Sequence, residues 1–402
     1  MPKKAIFIYS RVIDYHCLFM LTFDELQRQA NEKYYKRRGR KLYSDFKTFG
    51  GSDKIAIANA IEFYAWLENN QSDRRVPTAS SGVCAHSVTT LQIVDAASSG
   101  VSNPQFVNDL GHGNAGDEIK VYDFGIGNGF FSKFFLQKLY LLDRARKFVP
   151  RLSYFLCDIS GTLVRRAERD LRQFNVHGIV CDATGKMPFL KRASYIRSNE
   201  LYDDLPAKIF VKRDGVTFEV YMDGRTVHSP ETRDYVKTSN RAAISFMKNM
   251  PDGYEIPLNF GAASHLSRCM DALVVGGYID IFDYGFSSIK EITALPAEVW
   301  NNSIVREFNS QLTVDVNFIH LAQAFKNSEA AASAQKSYAE SVLGKKLFYV
   351  ELEQLYYFEK AEVRSNAKRM ARFGYPKDFL SSGIRETEDY KHFRVVKCRN
   401  YR

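Results

Sequence analysis

The segment Asp123-Phe124-Gly125-Ile126-Gly127-Asn128-Gly129 sets an acid and three alternating glycines between an apolar run and a helix-like stretch. A glycine-rich turn from strand to helix lets a ligand approach the backbone and meet the N–H groups of the helix start. A dinucleotide loop needs G-x-G-x-x-G, and here Phe130 takes the place of its last glycine. The acid two residues before Gly125 suits an amino group. The glycines leave room for a methionine and a ribose, with no pyrophosphate to neutralise. This is the pattern of an S-adenosylmethionine site, with Asp123, Gly125, Gly127 and Gly129 as expected cofactor contacts.

Further acids stand where later strands should end. Asp158 closes the run Leu152 to Cys157, and its carboxylate can accept both ribose hydroxyls. Asp182 closes Gly178 to Cys181, where it can reach an adenine amino group with the Ala183 N–H beside it. Ligands of open α/β sheets bind at the carboxyl ends of the strands. Each acid alone is more often a solvated loop residue, but three in register with a glycine loop favour the cofactor reading. A metal is not expected: the eight histidines are dispersed and the six cysteines form no C-x-x-C pair.

Positioning these residues takes alternating strands and helices. Strands are expected at Ile119 to Phe124, Leu152 to Cys157, Gly178 to Cys181, Ala193 to Arg197 and Tyr278 to Phe282. Helices are expected after the glycine loop, over Gly161 to Phe174 and over Ala263 to Val275. That alternation implies a mostly parallel sheet with right-handed crossovers. Earlier in the chain, Phe23 to Tyr35 and Ile55 to Leu67 read as helices. Residues 98–117 are rich in Gly, Ser, Asn and Asp and read as a linker. Asp223-Gly224, between two strand-like runs, signals a hairpin. The expected fold is α/β: a Rossmann-like class I methyltransferase with a mostly parallel sheet, a helical N-terminal lid and an insertion. Its divisions are a helical lid or substrate segment at 1–115, a core at 116–350 with the insertion at about 215–258, and a basic C-terminal segment at 351–402.

Hydrophobic residues make up 45% and charged residues 25% of the 402, which is ordinary for a globular protein. No apolar run approaches the roughly 20 residues of a spanning helix. The start lacks the Arg/Ser-rich character of a transit peptide. A cytoplasmic location is expected, with a mitochondrial one left open. The net charge of +10 fits an acidic partner, a nucleic acid, or simply a solvated basic surface.

Ser198-Asn199-Glu200-Leu201-Tyr202-Asp203-Asp204-Leu205-Pro206 resembles the Asn-Glu-x-x-Asp-Ala-x-Pro signature of the MidA-type methyltransferases. Tyr34-Tyr35 with Asp45-Phe46-Lys47-Thr48, Pro251-Asp252-Gly253-Tyr254-Glu255 with Asp283-Tyr284-Gly285, and Thr313-Val314-Asp315-Val316-Asn317-Phe318 resemble further elements of that family in the same order. Asp204 stands where the family has Ala, Lys33 and Ser44 replace glycines, and Lys208 stands where a His often follows the Pro. The family includes a mitochondrial protein-arginine methyltransferase needed for respiratory complex I assembly. The resemblance therefore implies S-adenosylmethionine as cofactor, a protein substrate and arginine N-methylation. It also implies Asn199, Glu200, Asp203 and Asp45 as catalytic residues. Carboxylates such as Glu200 and Asp203 can hold a guanidinium and assist its proton loss. Two alternatives stay open. Asn103-Pro104-Gln105-Phe106 is similar to the Asn-Pro-Pro-Tyr element of amino-methylating nucleic-acid enzymes. The altered positions, Asp204 among them, leave room for a non-catalytic, partner-binding protein of the same fold.

Overall fold

The computed structural model describes residues 20–38, 53–72, 118–223, 233–308, 310–326 and 393–399. Asp45, the 98–117 linker and Asn103 to Phe106 lie outside the described residues.

Apolar runs bounded by turn residues build the central sheet: β2 (Ile119–Phe124), β3 (Leu152–Asp158), β4 (Val176–Val180), β5 (Ala193–Asn199) and β10 (Leu273–Phe286). Their order is β10-β5-β2-β3-β4, and every one of these pairings is parallel. At the β10 edge the short β13 (Val316–Asn317) adds in parallel, and β14 (Phe393–Arg399) adds antiparallel. This is the parallel sheet that the strand–helix alternation implies, a Rossmann-like α/β fold. β10 is much longer than the Tyr278 to Phe282 run expected for it: it begins at Leu273, which pairs with Ala193 of β5, and it runs on to Phe286 alongside β14 and β13. The strand expected at Gly178 to Cys181 starts earlier, at Val176, where it pairs with Tyr154.

Helices cover both faces. On one, α2 (Asp53–Ser72), α3 (Phe130–Leu142) and α4 (Gly161–Asp170) bury Phe63, Leu67, Phe131, Phe135, Leu139 and Val164 against Tyr154, Leu156 and Tyr195. The Phe63 ring stacks on Trp66 and Tyr195, and its full burial is worth about 1.5–3 kcal/mol. On the other face, α6 (Phe260–Ala272) and α9 (Phe318–Lys326) bury Leu266, Cys269, Met270 and Leu321.

A second sheet is wholly antiparallel. It joins β1 (Met20–Thr22), β6 (Lys208–Arg213), β7 (Val216–Asp223), β8 (Arg233–Lys237) and β9 (Glu255–Leu258). Here the hairpin expectation needs correcting. The tight two-residue turn is Asp214-Gly215, not Asp223-Gly224. Both turn residues have positive φ, 49° and 75°, and Arg213 pairs with Val216 across it, as a type I′ turn requires. Asp223 is instead the last residue of β7, and Met222 pairs with Arg233 across a longer connection.

α1 (Phe23–Arg38) and α5 (Arg241–Met247) pack on this second sheet through Phe23, Leu26, Phe246 and Met247. A β-hairpin of β11 (Val305–Phe308) and β12 (Gln311–Val314) lies beside them. Among the described residues no helix is long and apolar enough to cross a membrane.

Candidate active site

The carboxyl ends of β2, β3, β5 and β10 converge where a switch-point ligand site belongs. The loop after β2 turns on Gly125, Gly127 and Gly129, with φ of 71°, 58° and 73°, a region that branched L side chains rarely adopt. A Cβ at Gly129 would stand 2.9 Å from the Cβ of Ala167, so α4 and the loop meet only because that residue is glycine. The Gly127 N–H donates to the Asp158 carboxylate over 3.3 Å, and the Ser160 N–H donates to its other oxygen over 2.8 Å. Burial pushes Asp158 up to about 6, against the pull of those backbone donors. Ile159, next along the chain, is a large apolar side chain left 54% exposed. Neither charge nor glycine spacing pointed to it.

Asp182 is exposed, and one of its oxygens accepts from the Thr184 N–H and hydroxyl, each over 2.7 Å. Ala183 is buried, with its carbonyl held by Arg268. Asp123 behaves differently from the other two strand-end acids. It is 1% exposed, and its carboxylate accepts from Ser132 Oγ (2.7 Å), Tyr154 OH (2.9 Å) and Arg197 (3.4 Å). Its oxygens face the protein interior.

The β5 end carries the acidic signature. Glu200 has φ of 45° and is tied by its N–H to the Phe282 carbonyl of β10 over 2.8 Å. A non-glycine residue in that conformation costs of order 1–3 kcal/mol and persists only where its surroundings dictate it. Asp283 does much of the dictating: its carboxylate accepts from the N–H groups of Tyr202, Asp203 and Tyr284. The Asp203 carbonyl accepts from Gln27 of α1 and from the Val314 N–H of β12. Asp204 turns toward Gln311, whose side-chain amide reaches both carboxylate oxygens at 2.7 and 2.6 Å, and toward Asn31 of α1. Arg306, on β11, pairs with Asp315 and lies 5.1 Å over the Tyr284 ring.

Two carboxylate oxygens in this loop, Glu200 Oε1 and Asp203 Oδ1, are buried and have no hydrogen-bond partner among the described residues. Burial first, then the charges of Asp283 and Asp204, push Glu200 up to about 8. Burial and the same neighbours hold Asp203 well above the ordinary carboxylate range, and burial pushes Asp283 up to about 7. The fold thus brings Asn199, Glu200 and Asp203 together beside the glycine loop: a Cβ on Gly125 would lie 3.6 Å from the Asn199 carbonyl oxygen. Asp283 and Arg306 join the cluster. Asp283 stands in the Asp-Tyr-Gly element of the family resemblance but was given no role from the sequence, and Arg306 was not singled out at all.

The glycine cradle, the half-buried Asp158 and the exposed apolar Ile159 fit an adenosyl group with a short amino-acid tail. A model of the family described as "Putative S-adenosyl-L-methionine-dependent methyltransferase" matches residues 104–335, more than half of the chain. A comparison with curated proteins finds no match. Among solved structures, a superfamily member from Burkholderia thailandensis bound to S-adenosyl-homocysteine is similar at 14% identity, with a TM-score of 0.56, over 96% of this chain and 89% of that one. An uncharacterized protein of the same superfamily and organism is similar at 14% identity, with a TM-score of 0.55, over 95% and 88% of the two chains. With the family model over the core and the ordered signature of the β5 loop, the chain belongs to the MidA-type family of S-adenosylmethionine-dependent methyltransferases.

Proposed function

We propose that this enzyme methylates an arginine side chain of a protein, with Glu200 and Asp203 as the acceptor-binding carboxylates. The observation that carries this reading is the pair of buried, unsatisfied oxygens, Glu200 Oε1 and Asp203 Oδ1. Unsatisfied buried polar atoms are rare in native proteins and ask for a partner. Two nearby carboxylates suit a planar guanidinium, which offers paired N–H donors. They do not suit a phosphate-flanked base. Asn199 stands beside them as a further contact. Asp45, outside the described residues, stays part of the proposal on its family match alone.

In the same reading the loop at Gly125, Gly127 and Gly129 cradles the cofactor, Asp158 takes the ribose hydroxyls, and Asp182 with the Ala183 N–H reads the adenine edge. The cofactor supplies an electrophilic methyl group. The chain's residues do the rest: they fix the acceptor nitrogen in line, which can supply much of the rate, and they take up the proton that this nitrogen releases. Asp158→Ala is expected to weaken cofactor binding by about 1.5–3 kcal/mol, the range for hydrogen bonds to a charged group. Calorimetry on the full chain measures this, and unchanged affinity would remove Asp158 from the site.

The acidic loop makes a pH prediction. With Glu200 at about 8 and Asp283 at about 7, the unliganded cluster holds protons at neutral pH. A bound cation favours the ionised forms. Acceptor binding should therefore release protons, and affinity should rise with pH through about 7 to 8 and then level off. Titrating an arginine peptide in buffers of different ionisation enthalpy checks this. Proton uptake, or no pH dependence, would contradict it. Transfer of tritiated methyl to protein rather than RNA fractions, followed by mass spectrometry of the labelled residue, tests the acceptor class directly.

A further inference from the structure

A charged side chain in the middle of a parallel sheet strand needs a reason, and Arg197 on β5 is such a residue. It is 2% exposed, and its partner Asp123 on β2 is 1% exposed. The two stand opposite each other in register, and on the other flank Arg197 is in register with Asp280 of β10, which is fully buried. Neighbours in register point to the same face of a sheet, so an Asp–Arg–Asp row crosses three strands beneath the helical layer. Asp280 is held by the Tyr195 hydroxyl over 3.0 Å, and that hydroxyl in turn receives the Asn59 amide of α2.

A buried ion pair is rarely a net source of stability, because desolvation offsets most of its attraction. Its contacts suggest what it does instead. Asp123 lies two residues before Gly125, and it also binds Ser132 in the first turn of α3. The loop is therefore clamped at both of its ends by one carboxylate. The Arg197 guanidinium lies 3.3 Å over the ring of Phe131, also in the first turn of α3, and 5.0 Å from that of Phe282. Phe282 is the residue whose carbonyl anchors the Glu200 N–H. One guanidinium thus touches the strand that leads into the cofactor loop, the helix that follows the loop, and the strand that holds the acceptor loop.

We propose that Arg197, acting through Asp123, is a positioning residue that presets the glycine loop for the cofactor. Asp123 then serves the cofactor from inside the fold, as the anchor of the loop. The proposal rests on the loop being the cofactor cradle, and its test has one arm that does not.

Arg197→Met keeps the length and an apolar stem between the two rings but removes the charge. Asp123 keeps its Ser132 and Tyr154 donors in that variant. In the unliganded full-length protein, hydrogen exchange of the amides at 125–130 should speed up, while those of β3 and β4 stay protected. Affinity for S-adenosylhomocysteine, measured well below the variant's melting temperature, should fall about tenfold or more, as expected for a lost buried charge partner. The double variant Asp123→Asn with Arg197→Met should bind more tightly than Arg197→Met alone, because the carboxylate beside the loop is no longer left without its cation, while Asp280 is unchanged between the two variants; coupled residues fail to add in this way. Should Arg197→Met prove too unstable, Arg197→Lys keeps the charge but loses the planar stack, and it should show the same local exchange in milder form. A fall in melting temperature with unchanged loop exchange and unchanged affinity would overturn the proposal and leave the pair a structural one. Faster loop exchange with unchanged affinity would keep the clamp but remove the loop from the cofactor site.

Discussion

Glu200→Gln is expected to lower turnover by about 10²–10⁴-fold, the usual cost of a lost acid–base group, with S-adenosylmethionine affinity nearly unchanged. The variant is almost isosteric, so the loop should keep its shape. The Glu200 N–H still reaches Phe282, and Asp283 still holds Tyr202 and Asp203. What disappears is an acceptor oxygen that can carry a negative charge and then a proton. Stability gives an independent reading. The folded protein holds Glu200 near 8, far above its ordinary value. That raised value contributes stability below the unfolded value and loses it as pH climbs through about 8. Glu200→Gln should flatten this decline in melting temperature with pH. Turnover that survives the substitution would make Glu200 structural and remove the main support for an arginine acceptor. If cofactor affinity collapsed as well, the residue would belong to the cofactor pocket instead.

The second large effect is expected at Gly127→Val. Gly127 has φ of 58°, and its N–H points to Asp158. A β-branched residue there costs on the order of 1–3 kcal/mol of backbone strain, and its methyl groups would stand where a ligand must approach the chain. Cofactor binding should fall below detection by calorimetry. Gly127 itself is half-exposed and belongs to none of the buried hydrophobic clusters of the described residues, so circular dichroism should report an intact fold. Gly127→Ala should fall between the variant and the unchanged protein. Wild-type affinity in Gly127→Val would mean that the ligand does not approach the backbone at this turn.

Local patterns made the central sheet readable before any coordinates. The glycine loop, the acids at the ends of β3 and near the end of β4, and the run into Asn199-Glu200 are each set by a few consecutive residues. The second sheet was harder, because its pairings are long-range. Met20 pairs with Asp223, and no periodicity within either segment announces the other. The hairpin was misplaced for a related reason. Two Asp-Gly pairs flank β7, and only the register of β6 against β7 shows that the first one turns. Arg197 stood in the sequence only as the last residue of an expected strand, and its meaning depended on Asp123, Phe131 and Phe282, which lie on three different elements. The inward turn of Asp123 was equally hidden: spacing gives the place of an acid at a strand end, and packing alone decides which way its oxygens face. Asp204 shows the same limit, since its partners Gln311 and Asn31 are distant in sequence.

The pairing of β14 with β10 has a consequence for how the protein is made. Tyr278 to Tyr284 line one flank of β10, and that flank is closed by residues 393–399. A ribosome delivers β10 long before β14. Through that interval the nascent sheet carries a row of open N–H and C=O groups along a hydrophobic strand, the kind of edge that recruits other chains. Such non-local closure is slow, and partly built sheets are prone to associate. Yield during expression should therefore depend on chaperone supply and on translation speed through the segment between the two strands, more than on the stability of the finished enzyme.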